Sequence, residues 1–248
     1  MLNKKHGIIK ENSQTVYIEQ KPEIDKMLLE ICEKKENTLH IIEKSKIENE
    51  KFENGFEIFD YKQYHDVEVK IRGKKQIQNA ALVLECCDIL KRQGYSITEE
   101  SIREGLKTVI HKGRLETIYE NPTIIFDGGH NEQAIENLKE TIHIFYKNAK
   151  RIYVVSVLKS KDYKKILKNI VEENSVYIFT NGNDKERYTD KHIMYEYAKQ
   201  LKDKAEIYEM ELEEAIQFCK EKMDFVSFII GSFYIYGDVQ KILKNLNS

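Results

Sequence analysis

The residues best suited to chemistry form the segment 127–131, which reads Asp-Gly-Gly-His-Asn. It follows the apolar run 124–126 and precedes a stretch with helical spacing. An acid, two glycines and a histidine at the end of a buried strand are typical of α/β sheets, whose strand ends hold nucleotides and phosphates. The pattern predicts a ligand-binding crevice. The structural alternative, which spacing slightly favours, is that Asp127 fixes a turn and Asn131 caps the following helix.

Three further positions have both a chemical and a structural interpretation. Arg114 follows a glycine just before the α/β segment, so it binds a phosphate or simply pairs with Glu116. Ser232 ends the last strand after another glycine, where its hydroxyl faces the same crevice or caps the final helix. Asn79 lies at the head of an apolar helix, and by itself this is an ordinary polar first turn.

The composition limits the class of protein. Hydrophobic residues make up 41% of the chain and charged residues 33%, with a net charge of -2 and no block of like charge. These values predict a folded cytoplasmic protein and argue against nucleic acid or a membrane as its partner. The four cysteines have no repeated spacing, which favours reduced core thiols. No G-x-x-x-x-G-K-[ST] phosphate loop occurs in the 248 residues.

The second half of the chain must position the 127–131 segment, and its apolar runs alternate regularly with amphipathic stretches. This alternation predicts an α/β fold with a doubly wound, mostly parallel sheet that begins near residue 117. The predicted strands are 123–126, 151–158, 175–180, 205–208 and 225–230, and the predicted helices are 132–146, 163–172, 192–201, 212–222 and 234–246.

The first part has strands but no obvious complete βαβ series. Gly94 is expected to stop one helix and Thr98 to cap the next. The predicted strands are 16–19, 38–42, 56–60 and 67–71, and the predicted helices are 23–34, 76–92 and 99–110.

Several motifs in sequence order together identify a family. The chain resembles folylpolyglutamate synthase/dihydrofolate synthase, a member of the Mur ligase superfamily, over essentially its whole length. The segments that carry the resemblance are 4–10 (Lys-Lys-His-Gly-Ile-Ile-Lys), 73–81 (Gly-x-x-Gln-x-x-Asn-Ala-Ala), 113–116 (Gly-Arg-Leu-Glu), 127–131, 158–162 (Leu-Lys-Ser-Lys-Asp) and 231–234 (Gly-Ser-Phe-Tyr).

The resemblance implies a fold and a reaction. Residues 1–112 would be the C-terminal remnant of the central ATP-binding domain, and 113–248 the glutamate-binding domain. The implied enzyme uses ATP and Mg²⁺ to make an acyl phosphate on a folate or dihydropteroate carboxylate, which the amine of L-glutamate then attacks. The family's phosphate loop and magnesium ligands lie upstream of this segment. We therefore expect an N-terminally truncated chain that is inactive without the missing half.

The resemblance also assigns roles to residues. It places Asn79 near the adenine base, Arg114 on the phosphates and Asp127 toward the ribose of ATP. His130 and Ser232 would act on the glutamate side. Lys5 matches a lysine whose carbamate helps to hold magnesium. The family usually has alanine where His6 and Gly129 stand, glutamate at Lys4, histidine at Lys75 and proline at Glu132.

Two other readings stay open at this point. One is a non-catalytic binding or interaction module descended from the ligase, which the missing phosphate loop favours. The other is a Mur-type ligase fragment acting on a cell-wall precursor, although the segments 113–116 and 231–234 favour the folate branch.

Overall fold

The chain divides into two compact units, one up to Ile110 and the other from His111. The computed structural model describes residues 6–201 and 204–246. Within these residues, the first unit combines two small sheets with helices, and the second is one six-stranded sheet covered by helices. Among all the described residues, no helix is long and apolar enough to cross a membrane.

The first unit contains a two-stranded parallel sheet and a three-stranded antiparallel sheet. The parallel strands pair from Gln14 with Thr38 to Ile18 with Ile42. The elements of this unit are β1 Gln14–Ile18, α1 Pro22–Lys34, β2 Thr38–Ile42, β3 Ile47–Glu53, β4 Phe56–Tyr61, β5 Tyr64–Val69, α2 Lys74–Arg92 and α3 Glu99–Thr108.

The hairpin of β4 and β5 packs against α2 and forms the core of the first unit. The carboxylate of Glu85, on α2, is buried beneath this hairpin. It accepts hydrogen bonds from the Tyr61 hydroxyl at 3.0 Å and from the Lys62 ammonium at 2.5 Å. Because a buried charge is costly without partners, these bonds stabilise one docking position of the helix.

The second unit is built on a single sheet. Its six strands and five helices, within the described residues, nearly alternate along the chain. Its elements are β6 Glu116–Tyr119, β7 Ile124–Asp127, α4 Glu132–Phe145, β8 Lys150–Val155, α5 Tyr163–Ile170, β9 Val176–Phe179, α6 Lys191–Lys199, β10 Glu206–Glu209, α7 Leu212–Glu221, β11 Phe225–Ile230 and α8 Tyr236–Asn245.

The strand order of this sheet is β10-β9-β8-β11-β7-β6, and only the edge pair of β6 with β7 is antiparallel. Helices α4, α5 and α6 pack on one face, and α7 and α8 on the other. Every residue of β7 and β9 is buried. Burial on both faces explains why these strands read as continuous apolar runs. The predicted doubly wound, mostly parallel α/β sheet is confirmed.

Several local expectations are confirmed and others are wrong. Thr98 caps α3, and Gly94 follows α2 with a φ of 92°. The first part does contain a βαβ unit, because β1, α1 and β2 form a parallel pair with a helical crossover. Strand β5 begins at Tyr64, three residues before the predicted strand. Strands β3 and β6 were not predicted, since six of the seven residues of β3 are exposed and β6 is only four residues long.

Candidate functional site

A crevice opens between two neighbouring strands of the second unit. Strands β7 and β11 pair in parallel from Ile124 with Ser227 to Asp127 with Ile230. The chain leaves β7 toward α4 on one face, and leaves β11 toward α8 on the other. Where adjacent parallel strands send their connections to opposite faces, the carboxyl ends form the usual ligand crevice of α/β folds. The segments after both strands therefore lie at one site.

Asp127 ties together the turn on the β7 side of the crevice. One carboxylate oxygen accepts the Gly129 N–H at 2.8 Å, and the other accepts the Leu115 N–H at 3.0 Å. Burial raises the pKa of Asp127, although the two backbone N–H groups and the nearby Arg114 oppose the shift. Asp127 therefore fixes a turn, as the structural alternative from the sequence predicted. Each oxygen still has a second lone pair with which a ligand hydroxyl can bond.

Three glycine-containing segments meet at the ring of Phe233. The Gly128 N–H donates to the Gly113 carbonyl at 2.8 Å. The Phe233 ring lies against both glycines, and a Cβ added at Gly128 would be 2.8 Å from the ring. The ring also stacks on Tyr236, with centroids 5.5 Å apart. An alanine at either position would push the ring aside, and Gly113 also has a φ of 70°, which favours glycine.

The turn that carries Arg114 is held by Glu116. Its carboxylate accepts the Gly113 N–H at 2.6 Å and the Tyr236 hydroxyl at 3.0 Å. Burial, followed by the bond to Glu116, raises the pKa of Tyr236 to about 12. No ion pair joins Arg114 to Glu116 in the described part of the chain, so the simple pairing considered from the sequence is not formed. Within the described residues the half-buried guanidinium has no ion-pair partner, so it is available to an anionic ligand.

His130 and Asn131 open the helix that follows β7. The Asn131 side chain accepts the Ala134 N–H at 2.9 Å, which confirms the predicted cap of α4. The His130 Nδ1 lies 3.2 Å from the Gly128 carbonyl. Because a carbonyl only accepts, Nδ1 is the donor in this contact. The half-buried ring lies beside the crevice with its Nε2 not used in this bond.

Ser232 has a structural role at the end of β11. Its hydroxyl accepts the Tyr234 N–H at 3.1 Å and so caps the short 3-10 helix Phe233–Ile235. The residue has no exposed surface. Burial raises the pKa of Tyr188, while a hydrogen bond with Ser232 acts in the opposite direction. In this conformation the hydroxyl positions its neighbours and is not open to a ligand.

The residues singled out from the sequence fall into three places. Arg114, Asp127, His130 and Ser232 belong to the ends of β7 and β11 in the second unit. Asn79 belongs to the first unit, where it is exposed on α2 and donates to Gln76 at 3.0 Å. Lys5 lies outside the described residues.

Two contributors to the site were missed by sequence reasoning. The Phe233 ring fills the space above two glycines, and Tyr236 holds a carboxylate 120 residues earlier in the chain. The aromatic residue in the Gly-Ser-Phe-Tyr segment, following a glycine at a strand end, is the signal that could have indicated Phe233.

The described residues do not fit a magnesium site. No group of three His, Cys, Asp or Glu side chains within residues 6–201 and 204–246 could hold a metal ion. The two carboxylates of the crevice already bind groups of the fold, the buried Asp127 two N–H groups and the half-buried Glu116 an N–H and a hydroxyl. We therefore assign no chemical step to a metal held by these residues.

Replacing Asp127 by alanine is expected to destabilise the second unit by about 2–4 kcal/mol, because two N–H groups lose their acceptor. Because burial raises the pKa of Asp127, the stability of the second unit should also depend on pH. The Asp127 carboxyl contributes most to the free energy of unfolding below its unfolded pKa of about 4. This contribution falls as the pH rises toward its higher pKa in the folded state. The loss on substitution should therefore be larger at pH 4 than at pH 7 in urea denaturation. An equal loss at both values would contradict the raised pKa.

The second unit has the fold of a Mur ligase C-terminal domain, and residues 113–229 match the family described as "Mur ligase, glutamate ligase domain". Over 188 residues the chain is 31% identical to dihydrofolate synthase/folylpolyglutamate synthase of Bacillus subtilis, a match covering 73% of this chain and 42% of the relative. The chain belongs to the folylpolyglutamate synthase/dihydrofolate synthase family. The resemblance read from the motifs is confirmed.

Solved structures agree with this assignment. Folylpolyglutamate synthase of Thermotoga maritima is 26% identical and superposes with a TM-score of 0.77 over 97% of this chain and 56% of that one. Escherichia coli FolC, solved in complex with DHPP and ADP, is 20% identical with a TM-score of 0.76 and supports the fold alone. The chain thus spans about half the length of the relatives it matches.

Proposed function

We propose that this chain is part of an ATP-dependent ligase that joins L-glutamate to the carboxylate of a folate or dihydropteroate. The γ-phosphoryl group of ATP passes to the carboxylate, giving ADP and an acyl phosphate. The glutamate amine then attacks the acyl carbon, and phosphate leaves as the amide forms. The observation that carries the proposal is the crevice at the ends of β7 and β11, where the family's motifs pack around one aromatic ring.

The nucleotide side of the crevice is assigned to Arg114 and Asp127. The Arg114 guanidinium is half-buried and makes no ion pair within the described residues, so it can neutralise the charge that builds on the transferred phosphoryl group. Asp127 holds the turn beside it and can accept a ribose hydroxyl with a free lone pair. E. coli FolC binds ADP according to its structure.

The glutamate side is assigned to His130 and, indirectly, to Ser232. Nε2 of a neutral His130 can take a proton from the glutamate ammonium, which must be neutral before it attacks. Ser232 positions the 3-10 helix Phe233–Ile235 that closes the crevice. Residues 1–112 are proposed to belong to the central ATP-binding domain. There Asn79 would contact the adenine base and a carbamylated Lys5 would contribute to magnesium binding.

The proposal is tested by glutamate-dependent ADP release. The purified chain should release no ADP with ATP, glutamate and dihydropteroate, because its 248 residues contain no phosphate loop. Mixing it with a polypeptide that carries the rest of the family fold should give ADP release that needs glutamate. His130→Ala should abolish this release, and His143→Ala, on an exposed face of α4, should not.

Three outcomes would count against this function. Ordinary turnover by the chain alone would show that the phosphate loop is dispensable. Absence of turnover in the mixture, despite complex formation, would favour a non-catalytic binding module. Turnover with a cell-wall precursor but with neither dihydropteroate nor tetrahydrofolate would move the chain to another Mur-type branch.

A further inference from the structure

Helix α2 begins without the groups that normally stabilise a helix N-terminus. Gly73 is its N-cap, and glycine has no side chain with which to accept one of the free N–H groups of the first turn. That turn contains no acid and instead carries Lys74 and Lys75, whose positive charges oppose the helix dipole. The residues of the helix itself therefore do not explain a stable start at this position.

A buried carboxylate from strand β4 supplies the missing group. Oε1 of Glu57 accepts the Gly73 N–H at 2.7 Å, and both residues are buried. Glu57 lies on the same face of β4 as Phe59 and Tyr61, which belong to the core formed with α2. Burial raises the pKa of Glu57, whereas the Gly73 N–H and Arg72 act in the opposite direction. The fold thus places a costly buried acid at one point, the start of α2.

The first turns of α2 carry a pair of amide side chains. The Gln76 N–H donates to the Gly73 carbonyl at 2.7 Å, so this turn is tied to the residue that Glu57 holds. Asn79 donates one N–H to the Gln76 side chain at 3.0 Å. This bond does not use the carbonyl oxygen and the second N–H of the exposed Asn79 amide. An amide pairs well with adenine, which presents an N–H donor beside a ring nitrogen, whereas guanine has an oxygen in place of that donor.

We propose that Glu57 is a positioning residue for the nucleotide base: by holding Gly73 it sets the first turns of α2, so that Asn79 prefers adenine to guanine. Glu57 touches no substrate in this role and acts through the helix. A loosened helix start would shift the Asn79 amide, whose donor and acceptor would then no longer match the adenine edge. The inference rests on the proposed ligase function, in which Asn79 contacts the base, and it adds the residue that fixes this contact.

The test measures ADP and GDP binding by isothermal titration calorimetry, in the mixture of the full chain with a polypeptide that carries the rest of the family fold. Glu57→Ala should weaken ADP binding about tenfold and leave GDP binding within about twofold, because only the adenine contact depends on the placement of Asn79. Glu57→Gln should weaken ADP binding only about threefold, since its neutral amide oxygen accepts the same N–H less strongly than a carboxylate does.

Asp60→Ala is the matched control. Asp60 is also a carboxylate of β4 that accepts a backbone N–H, that of Asp66 at 2.7 Å, but this bond lies within the hairpin of β4 and β5. Both alanine variants should lower the midpoint of thermal unfolding, because each leaves an N–H without its acceptor. Asp60→Ala should nevertheless keep the wild-type ratio of ADP to GDP affinity. A merely structural role for Glu57 predicts an unchanged ratio in both variants.

The outcomes separate the positioning role from the reaction. Unchanged ADP affinity in Glu57→Ala, or an equal loss for ADP and GDP, would overturn the role of Glu57. If Glu57→Ala does not fold, the selective loss in Glu57→Gln decides in the same way. A wild-type mixture that binds neither nucleotide would overturn this role together with the nucleotide assignments of the ligase. ADP binding that responds as described, without glutamate-dependent ADP release from ATP, supports the role of Glu57 and overturns the ligase function alone.

Discussion

Gly231→Ala is expected to lower the free energy of unfolding of the second unit by about 3–5 kcal/mol. Gly231 has a φ of 99°, a backbone conformation that alanine adopts only with strain. An added Cβ would also lie 2.5 Å from the carbonyl oxygen of Ser156. Since Ser156 directly follows β8, which pairs with β11 at the centre of the sheet, this oxygen cannot move aside without breaking strand pairing.

Urea denaturation followed by circular dichroism measures this effect, and Gly237→Ala is the matched control. Gly237 lies in the first turn of α8, and an added Cβ there meets nothing within 4 Å. Alanine should therefore be neutral or stabilising by up to about 1 kcal/mol, because it favours helix over glycine. If Gly231→Ala were as stable as the control, the close approach of β11 to Ser156 would be contradicted.

Arg114→Ala is expected to reduce kcat/KM for glutamate-dependent ADP release by about 10²–10³-fold in the assembled ligase. The half-buried guanidinium has no ion-pair partner within residues 6–201 and 204–246, so its charge serves a ligand in the proposed reaction. Lysine at this position should restore only part of the activity, because a point charge does not reproduce the planar fork that binds phosphate oxygens.

Two measurements separate this effect from a structural one. The midpoint of thermal unfolding should change little in Arg114→Ala, since the side chain forms no ion pair within the described residues. Arg103→Ala is the control, because Arg103 pairs with Glu99 on the exposed surface of α3 at 2.7 Å. It should keep full activity. Unchanged kcat/KM in Arg114→Ala would remove Arg114 from the nucleotide side of the crevice.

Much of the second unit could be predicted from the sequence because its strands are buried on both faces. Apolar runs such as 225–230 are typical of strands covered on both faces, and the amphipathic stretches between them have helical spacing. The cap at Asn131 was predicted for a similar reason, since a short polar side chain before a helix bonds to that helix's own N–H groups.

Elements stabilised by backbone pairing alone were not predicted. Strand β3 reads Ile-Glu-Asn-Glu-Lys-Phe-Glu, and six of its seven residues are exposed. Its hydrogen bonds to β4 decide its conformation, and they leave no mark on the side-chain pattern. Strand β6 has only four residues, too few for a clear pattern, and it is defined by its pairing with β7. The strands and helix of the βαβ unit were each predicted, but their parallel pairing was not, because it is decided by backbone bonds between strands about 24 residues apart.

The sequence by itself determined which chemical groups stand at the strand ends. The same residues also indicated the family. Tertiary structure decided which of those groups are free to act. Each Asp127 oxygen binds one N–H of the fold and keeps its second lone pair, Ser232 is enclosed, and Arg114 is left without an ion pair among the described residues. These outcomes depend on contacts such as Tyr236 with Glu116, 120 residues apart. Local sequence cannot specify them, because the sheet alone brings such positions together.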